Sequence, residues 1–480
     1  VPRLIVVSNR VSVPDPDGPR QAGGLAVAVN AALKQRDGVW FGWSGKVVPG
    51  EAAVEPRVIR QRRRTVITLD LSEVDFGEYY NGFANRVLWP ILHYRVDLAE
   101  FSAHELSGYL RVNSVFADAL SRFIEPDDTI WVHDYHLLPF AKELRQRGHD
   151  NPIGCFIHIP CPPPDILLAL PHHEQTVGAL LHYDLVGLQT EQDADNLGRY
   201  FETHGALGRH RTSFALNGHR VHVGAFPVSI ATKVFARAAR RAARSPAAEE
   251  LRDSLGGRRL ILGVDRLDYS KGIPQRIDAF GRFLDANPEW NGKATFLQVT
   301  PKSRSAVPEY EDMERQLSTL VGQINGRHGG ASWTPIRYVN RSFPRSTLAA
   351  FYRAADVGLV TPLRDGMNLV AKEYVAAQDP ENPGVLVLSQ FAGAVAELGD
   401  GALVVNPHEP EAMAGAILRA LGMPLAERQE RYRRMFARLA VNDVDRWANQ
   451  FVTALEAARQ RPSLLGGLRQ LFALPTAPTV

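Results

Sequence analysis

Short, nearly unbroken runs of β-branched and other apolar residues recur along the chain, and they restrict its fold more than any other feature. They fall at residues 4–8, 129–133, 153–158, 185–189, 260–264, 295–299, 336–339, 357–361, 385–389 and 402–405. Runs of this kind, without polar alternation, are strands covered on both faces, which predicts parallel sheets. Between them lie amphipathic helical patterns, such as residues 274–286 and 346–355. Strands alternating with helices imply right-handed βαβ units, so the expected class is α/β with doubly wound sheets.

The chain has 480 residues, too many for one ordinary core. The alternation breaks around Phe226-Pro227-Val228-Ser229 and restarts at Leu260. The expected division is therefore 1–228, 229–450 and a helix or tail at 451–480 that packs back on the first domain. Lys plus Arg total 55 against 52 acidic residues, a formal charge of +3. Near-neutrality gives no reason to expect nucleic acid or an anionic membrane as partner. The arginine clusters at 60–64 and 237–244 read as a solvated turn and a solvated helix face. Cys155 and Cys161 match neither a redox pair nor a zinc pattern, so two reduced, packed thiols in a cytoplasmic protein are expected. No apolar run is long enough to span a membrane.

In open α/β sheets ligands bind beyond the carboxyl ends of the strands, and polar clusters stand there. The first strand runs into Ser8-Asn9-Arg10, and Arg10 suits a phosphate. Gly23-Gly24 precedes a helical pattern, where the backbone can approach an anionic ligand. Tyr79-Tyr80-Asn81, with Leu88-Trp89-Pro90 and His93-Tyr94, reads as a mixed core or as a platform for a sugar. Strand 129–133 ends at Asp134-Tyr135-His136, which offers Asp134 to sugar hydroxyls. Strand 153–158 ends at His158 before a stiff proline loop. In the second half, Asp265-Arg266-Leu267-Asp268-Tyr269-Ser270-Lys271-Gly272 puts Arg266 and Lys271 at a strand–loop–helix mouth, a diphosphate site without metal. Lys302 and Arg304 follow the next strand. Asp365 and Glu373 lie after strand 357–361, placed for a sugar and a ribose.

Taken together, Trp131 to Pro139, Val264 to Gly272 and Thr361 to Gln378 resemble the trehalose-6-phosphate synthase family of retaining glycosyltransferases, over roughly residues 3–450. The resemblance implies a GT-B fold, two Rossmann-like doubly wound domains facing across a cleft. It implies glucosyl transfer from a nucleoside-diphosphate glucose to glucose 6-phosphate, giving α,α-1,1-linked trehalose 6-phosphate. Arg10, Tyr80, Trp89, Asp134 and Arg304 correspond to acceptor contacts. Gly23, Gly24, His158, Arg266, Lys271, Phe343, Asp365, Gly366, Met367, Asn368, Leu369, Val370, Ala371, Lys372 and Glu373 correspond to donor contacts. The catalytic set implied is Asp134, His158, Arg266, Lys271 and Asp365. Pro160-Cys161-Pro162-Pro163-Pro164-Asp165 departs from many relatives, which carry an aromatic after the first proline and a closing Glu.

No cofactor and no metal are expected. Asp15-Pro16-Asp17 and Asp193-Ala194-Asp195 have the Asp-x-Asp form of metal-dependent transferases but read as solvated. A homo-oligomer, dimer or tetramer, is implied by the family. UDP-, ADP- and GDP-glucose all remain open as donor. Two rival readings stand: a transferase using glycerol 3-phosphate or a cyclitol phosphate, and a non-catalytic sugar-phosphate sensor.

Overall fold

The computed structural model describes residues 3–11, 29, 33, 38–50, 55–61, 64–209, 212–301 and 308–459. Their contacts divide them into two compact units. Val29–Phe226, with the first strand and the chain from Ala448, form one, and Pro227–Trp447 form the other.

The first unit holds a sheet of strands β1 (Leu4–Arg10), β2 (Gly38–Val48), β3 (Arg57–Gln61), β4 (Arg64–Ser72), β5 (Thr129–His133), β6 (Ile153–Phe156), β7 (Leu185–Leu188), β8 (Leu207–Arg209), β9 (Ser213–Leu216) and β10 (His219–Ala225). Their order is β3-β4-β2-β1-β5-β6-β7-β10-β9-β8. From β4 to β10 every neighbour pairs parallel, and β3 and the β8–β9–β10 edge pair antiparallel. Strand β5 is buried at all positions, the condition that its apolar run requires.

The second unit holds β11 (Arg259–Val264), β12 (Ala294–Val299), β13 (Ile336–Val339), β14 (Val357–Val360), β15 (Val385–Ser389) and β16 (Leu403–Val405). They are ordered β13-β12-β11-β14-β15-β16 and all pair parallel. This is the Rossmann order 3-2-1-4-5-6, whose direction of winding reverses between the first and fourth strands. Its core packs Ile261, Phe280, Phe296, Val357 and Val387, among others, between sheet and helices.

The apolar runs at 4–8, 129–133, 153–158, 185–189 and all those beyond 260 form strands, with ends shifted by a residue or two. The reading missed β2, β3, β4 and the β8–β10 edge. Strand β2, GVWFGWSGKVV, carries three glycines and a lysine, and only its pairing with β1 and β4 makes it a strand. The cluster at 60–64 is not simply a solvated turn. Arg57–Gln61 and Arg64–Ser72 are paired strands, and the Arg64 guanidinium lies 5.8 Å over the Trp40 ring. Arg237, Arg240, Arg241 and Arg244 are exposed, a solvated face. Asp193 corrects a second reading. It is buried in the first turn of the helix Glu191–Thr203, where it accepts from the hydroxyl of the capping Thr190 (2.6 Å) and from the Cys161 amide (2.8 Å) instead of facing solvent. Asp15 and Asp17 lie outside the described residues.

The last helix, Val444–Arg459, carries the division between the units. Its Phe451 stacks on Trp131 (4.8 Å, 15°) and meets Phe156 and Phe226 edge to face. Side chains are missing from the sheet directly beneath: a Cβ on Gly187 would stand 2.6 Å from the Phe451 ring. Among the described residues no helix is long and apolar enough to cross a membrane. Phe451→Ala would empty this slot without collapse of the flanking strands. A loss of roughly 3–5 kcal/mol is expected, read as a lower melting temperature of the first unit by scanning calorimetry.

Candidate active site

In each unit several of the polar residues named from the sequence stand where the strand order reverses. In the first unit that point lies between β1 and β5, whose ends carry Arg10 and Asp134. Arg10 is exposed, with its guanidinium 5.6 Å from the Trp43 ring. It also crosses Gly45, where an added Cβ would lie 2.6 Å from Arg10 Nε, and where φ is +91°. Close approach and backbone conformation both require glycine there. Trp43 is 5.8 Å from the Tyr80 ring, and Tyr80 stacks on Phe76 (5.3 Å) and on His136 (5.7 Å). The result is a half-buried aromatic surface beside a cation.

Tyr80 stands in a π-helical segment, Phe76–Leu88, which runs on into Trp89–Leu92. Two hydrogen bonds fasten that segment to the strand ends, and a third braces it internally. Tyr79 Oη donates to Asn9 Oδ1 (2.8 Å), Asn85 Nδ2 donates to the Tyr80 carbonyl (2.7 Å), and Tyr135 Oη donates to Asn85 Oδ1 (3.0 Å). Trp89 is buried, 5.6 Å from Tyr135. Asn9 and Asn85 were not singled out in the sequence. Their role depends on partners about 70 and 50 positions away, and no local pattern marks it.

Asp134 has φ +75°, a conformation costly for a non-glycine residue and frequent at functional sites. Its amide donates to the Phe156 carbonyl (2.8 Å), and its Oδ1 accepts the His158 amide (3.2 Å). His158 Nε2 in turn lies 3.1 Å from Nδ1 of His133, the residue before Asp134, so one imidazole donates to the other. Burial holds both rings below the ordinary histidine value, so the pair is neutral near pH 7. His136 belongs to the aromatic stack, against Tyr80 and Tyr135.

The second unit's reversal lies between β11 and β14. The loop after β11 carries Arg266 and Lys271, and the loop after β14 carries Asp365. Lys271 Nζ is 2.5 Å from Asp365 Oδ2, and Asn368 Nδ2 donates to the same oxygen (3.0 Å). The loops are stitched together. Leu363 and Arg364 amides donate to the Ser270 carbonyl (2.8 and 3.2 Å). Gly272 has φ +63°, and a Cβ there would sit 2.5 Å from the Thr361 carbonyl oxygen. Behind them lies Arg276, with no exposure. It donates to Asp265 Oδ2 (2.8 Å), Gln298 Oε1 (3.2 Å), Thr361 Oγ1 (3.1 Å) and the Lys271 carbonyl (3.1 Å). The sequence reading missed Arg276, which sits inside an ordinary amphipathic helix, Ile273–Ala286.

Arg266 is exposed. Gly366, Met367 and Asn368 are buried, and Asn368 caps the helix Leu369–Ala377 by accepting the Ala371 amide (3.2 Å). Leu369 and Val370 are half-buried in its first turn, and Ala371 is buried. Glu373 pairs with Arg345 (3.1 Å), and burial raises its carboxyl against that attraction. Phe343 packs edge to face on Phe351 (5.2 Å) under the Arg341 guanidinium (4.7 Å). Lys372 points the other way. It is fully buried, with its amine donating to Glu397 and to the Val228 carbonyl (2.8 Å). Gly23, Gly24, Lys302 and Arg304 lie outside the described residues.

Two parallel-sheet units, each with cations and carboxylates at its reversal point and one with an aromatic sugar-type surface, are the parts of a GT-B glycosyltransferase. The model of glycosyltransferase family 20 matches residues 3–457. A trehalose-6-phosphate synthase of Sinorhizobium fredii is 52% identical, covering 96% of this chain and 99% of that protein. The crystal structure of an α,α-trehalose-phosphate synthase (UDP-forming) from Burkholderia vietnamiensis superposes with a TM-score of 0.93 at 49% identity, covering 96% and 98% of the two chains. One from Burkholderia xenovorans, in complex with glucose 6-phosphate, gives 0.91 at 46%, covering 95% and 100%. The chain belongs to glycosyltransferase family 20, the trehalose-6-phosphate synthase family.

The neutral histidine pair sets a pH dependence. A buried base with a lowered value binds fewer protons folded than unfolded. Its stabilisation is complete above the unfolded value, about 6.5, and is lost as the pH falls below it. His149 and His182, also lowered by burial, add to the trend. The melting temperature is expected to fall between about pH 7 and pH 5, and the fall to be shallower in His133→Gln. An equal slope in both proteins would remove the pair from the account.

Proposed function

We propose that the chain transfers glucose from a nucleoside-diphosphate glucose to glucose 6-phosphate, with retention, and releases trehalose 6-phosphate. The observation that carries this is the match to family 20 along residues 3–457, together with 52% identity to a trehalose-6-phosphate synthase. In this reading the first unit takes the acceptor. There Arg10, Tyr80, Trp89 and Asp134 hold the sugar phosphate, the cation on phosphate and the rings on sugar C–H faces, and Arg304, whose position follows the second unit's β12, is added to this set by the family resemblance. The second unit takes the donor. Arg266 and Lys271 hold its diphosphate, Glu373 and the segment 366–372 the ribose and nucleoside, and Phe343 the base. His158 and Asp365 grip the transferred glucose, and Gly23-Gly24 covers it. The buried amine of Lys372 makes its part a backbone one. UDP-glucose is the donor favoured, since the Burkholderia vietnamiensis relative is described as UDP-forming.

Retention without a glycosyl-enzyme follows from a front-side path. The acceptor hydroxyl attacks the face that the diphosphate leaves, a leaving phosphate oxygen takes the hydroxyl proton, and the C–O bond to phosphate breaks. The protein's part is electrostatic: Arg266 and Lys271 stabilise charge that grows on the departing phosphate. In the free enzyme Lys271 is neutralised by Asp365, and the incoming diphosphate competes for it. No metal or cofactor takes part in this reading, which also includes a cytoplasmic homo-oligomer, as the family resemblance implies.

The decisive assay mixes the purified protein with glucose 6-phosphate and, separately, UDP-, ADP- and GDP-glucose, and identifies the disaccharide. Trehalose 6-phosphate is the expected product. Glycerol 3-phosphate or a cyclitol phosphate as better acceptor would overturn it, and donor binding without turnover would favour a sensor. Lys271→Ala and Arg266→Ala are each expected to lower kcat by roughly a hundredfold or more, with little change in glucose 6-phosphate binding by calorimetry. Normal turnover in either would end the electrostatic role.

A further inference from the structure

Away from both substrate sets, the first unit gathers three metal-ligating side chains. His173 and Glu174 stand in the single turn His173–Gln175, and His204 follows the helix Glu191–Thr203. One ligand atom from each lies within 4.8 Å of the other two. The imidazoles meet edge to face at 4.8 Å, and His173 Nε2 is 3.7 Å from Glu174 Oε1. Both histidines are half-buried, and Glu174 is exposed.

The hydrogen bonds on the far side of each ring prepare it to ligate. His204 Nδ1 lies 2.8 Å from the Tyr200 carbonyl oxygen. A carbonyl only accepts, so Nδ1 carries the proton and the lone pair is on Nε2. His173 Nδ1 lies 2.8 Å from Tyr200 Oη. Tyr200 is fully buried. That oxygen can accept Nδ1–H, which leaves the His173 lone pair on Nε2 as well. Metal-bound histidines usually donate their other ring N–H to such a partner, which fixes ring orientation and tautomer.

We propose that His173, Glu174 and His204 bind a divalent transition metal, Zn²⁺ foremost, which clips the turn at 173 to the helix end at 204. Two imidazoles and a carboxylate suit Zn²⁺, while Mg²⁺ and Ca²⁺ prefer oxygen alone. Zn–N and Zn–O bonds of about 2.0–2.2 Å bring tetrahedral ligands within roughly 3.5 Å of one another. The set must therefore tighten, and the exposed Glu174 side chain is free to swing in. Water completes the shell. The clip shares no residue with the substrate sets, so it acts on stability and leaves the transfer chemistry alone.

The test uses the full chain, stripped of metal by a chelator and titrated with Zn²⁺ against a chromophoric competitor. One Zn²⁺ per chain is expected, with micromolar or tighter affinity, and with a Zn²⁺-dependent rise in melting temperature that Mg²⁺ does not give. His204→Ala is expected to weaken binding at least about tenfold, and Tyr200→Phe by roughly ten- to a hundredfold. Glu174→Gln, at an exposed position that cannot disturb the core, is expected to remove most of the thermal shift. Absence of a stoichiometric site, or the same affinity in His204→Ala and Glu174→Gln, overturns the proposal and assigns any bound metal to other histidines.

Discussion

The Arg276 guanidinium, sealed from solvent, holds the second unit's chemistry together. A buried charge is tolerated only when it is paired and its donors are satisfied. Here four acceptors meet it: Asp265 at the end of β11, Gln298 in β12, Thr361 at the end of β14, and the Lys271 carbonyl. One planar cation thus ties the tips of three parallel strands to the loop that carries Lys271. Removal of any partner would leave an uncompensated polar group in a low-dielectric interior, so the geometry is close to all-or-none. The short Lys271–Asp365 pair sits on this base, and its placement at the reversal of the strand order follows.

In the first unit, neutral hydrogen bonds join the site's segment to the strand ends. Tyr79 bonds Asn9 and Tyr135 bonds Asn85, while Asn85 also braces the segment internally at the Tyr80 carbonyl. Asp134, in its positive-φ conformation, is held by its amide on the Phe156 carbonyl and by its carboxylate on the His158 amide. The difference suits the proposed ligands. An aromatic, half-buried surface with one exposed arginine fits a monosaccharide phosphate, whereas a cationic strand–loop–helix mouth fits a diphosphate.

Much of the fold was legible because the strands of a doubly wound sheet are apolar on both faces and stand out from amphipathic helices. The elements missed are those where this logic weakens. Strand β2 mixes glycine, tryptophan and lysine, and the β8–β10 edge is half-exposed. Both are strands only because a neighbour supplies hydrogen bonds. The polar clusters at the strand ends were legible for a related reason: charge beside an apolar run calls for a partner or a ligand. Arg276 and Lys372 show the limit. Each occupies a helix whose sequence admits a solvated cation, and the tertiary fold turned each inward, Arg276 to Asp265 and Lys372 to Glu397.

The sequence by itself determined the class of fold and the family, and it marked the strand-end loops as candidate ligand sites, because period, burial and strand-end polarity are local properties of the chain. Only the tertiary structure decided which partners those loops meet. Lys271 and Asp365 are 94 positions apart, His133 and His158 are 25 apart, and Tyr79 reaches Asn9 across 70. Such pairings arise from the order in which parallel strands are laid side by side, and no periodicity along the chain encodes a distance between two strand ends.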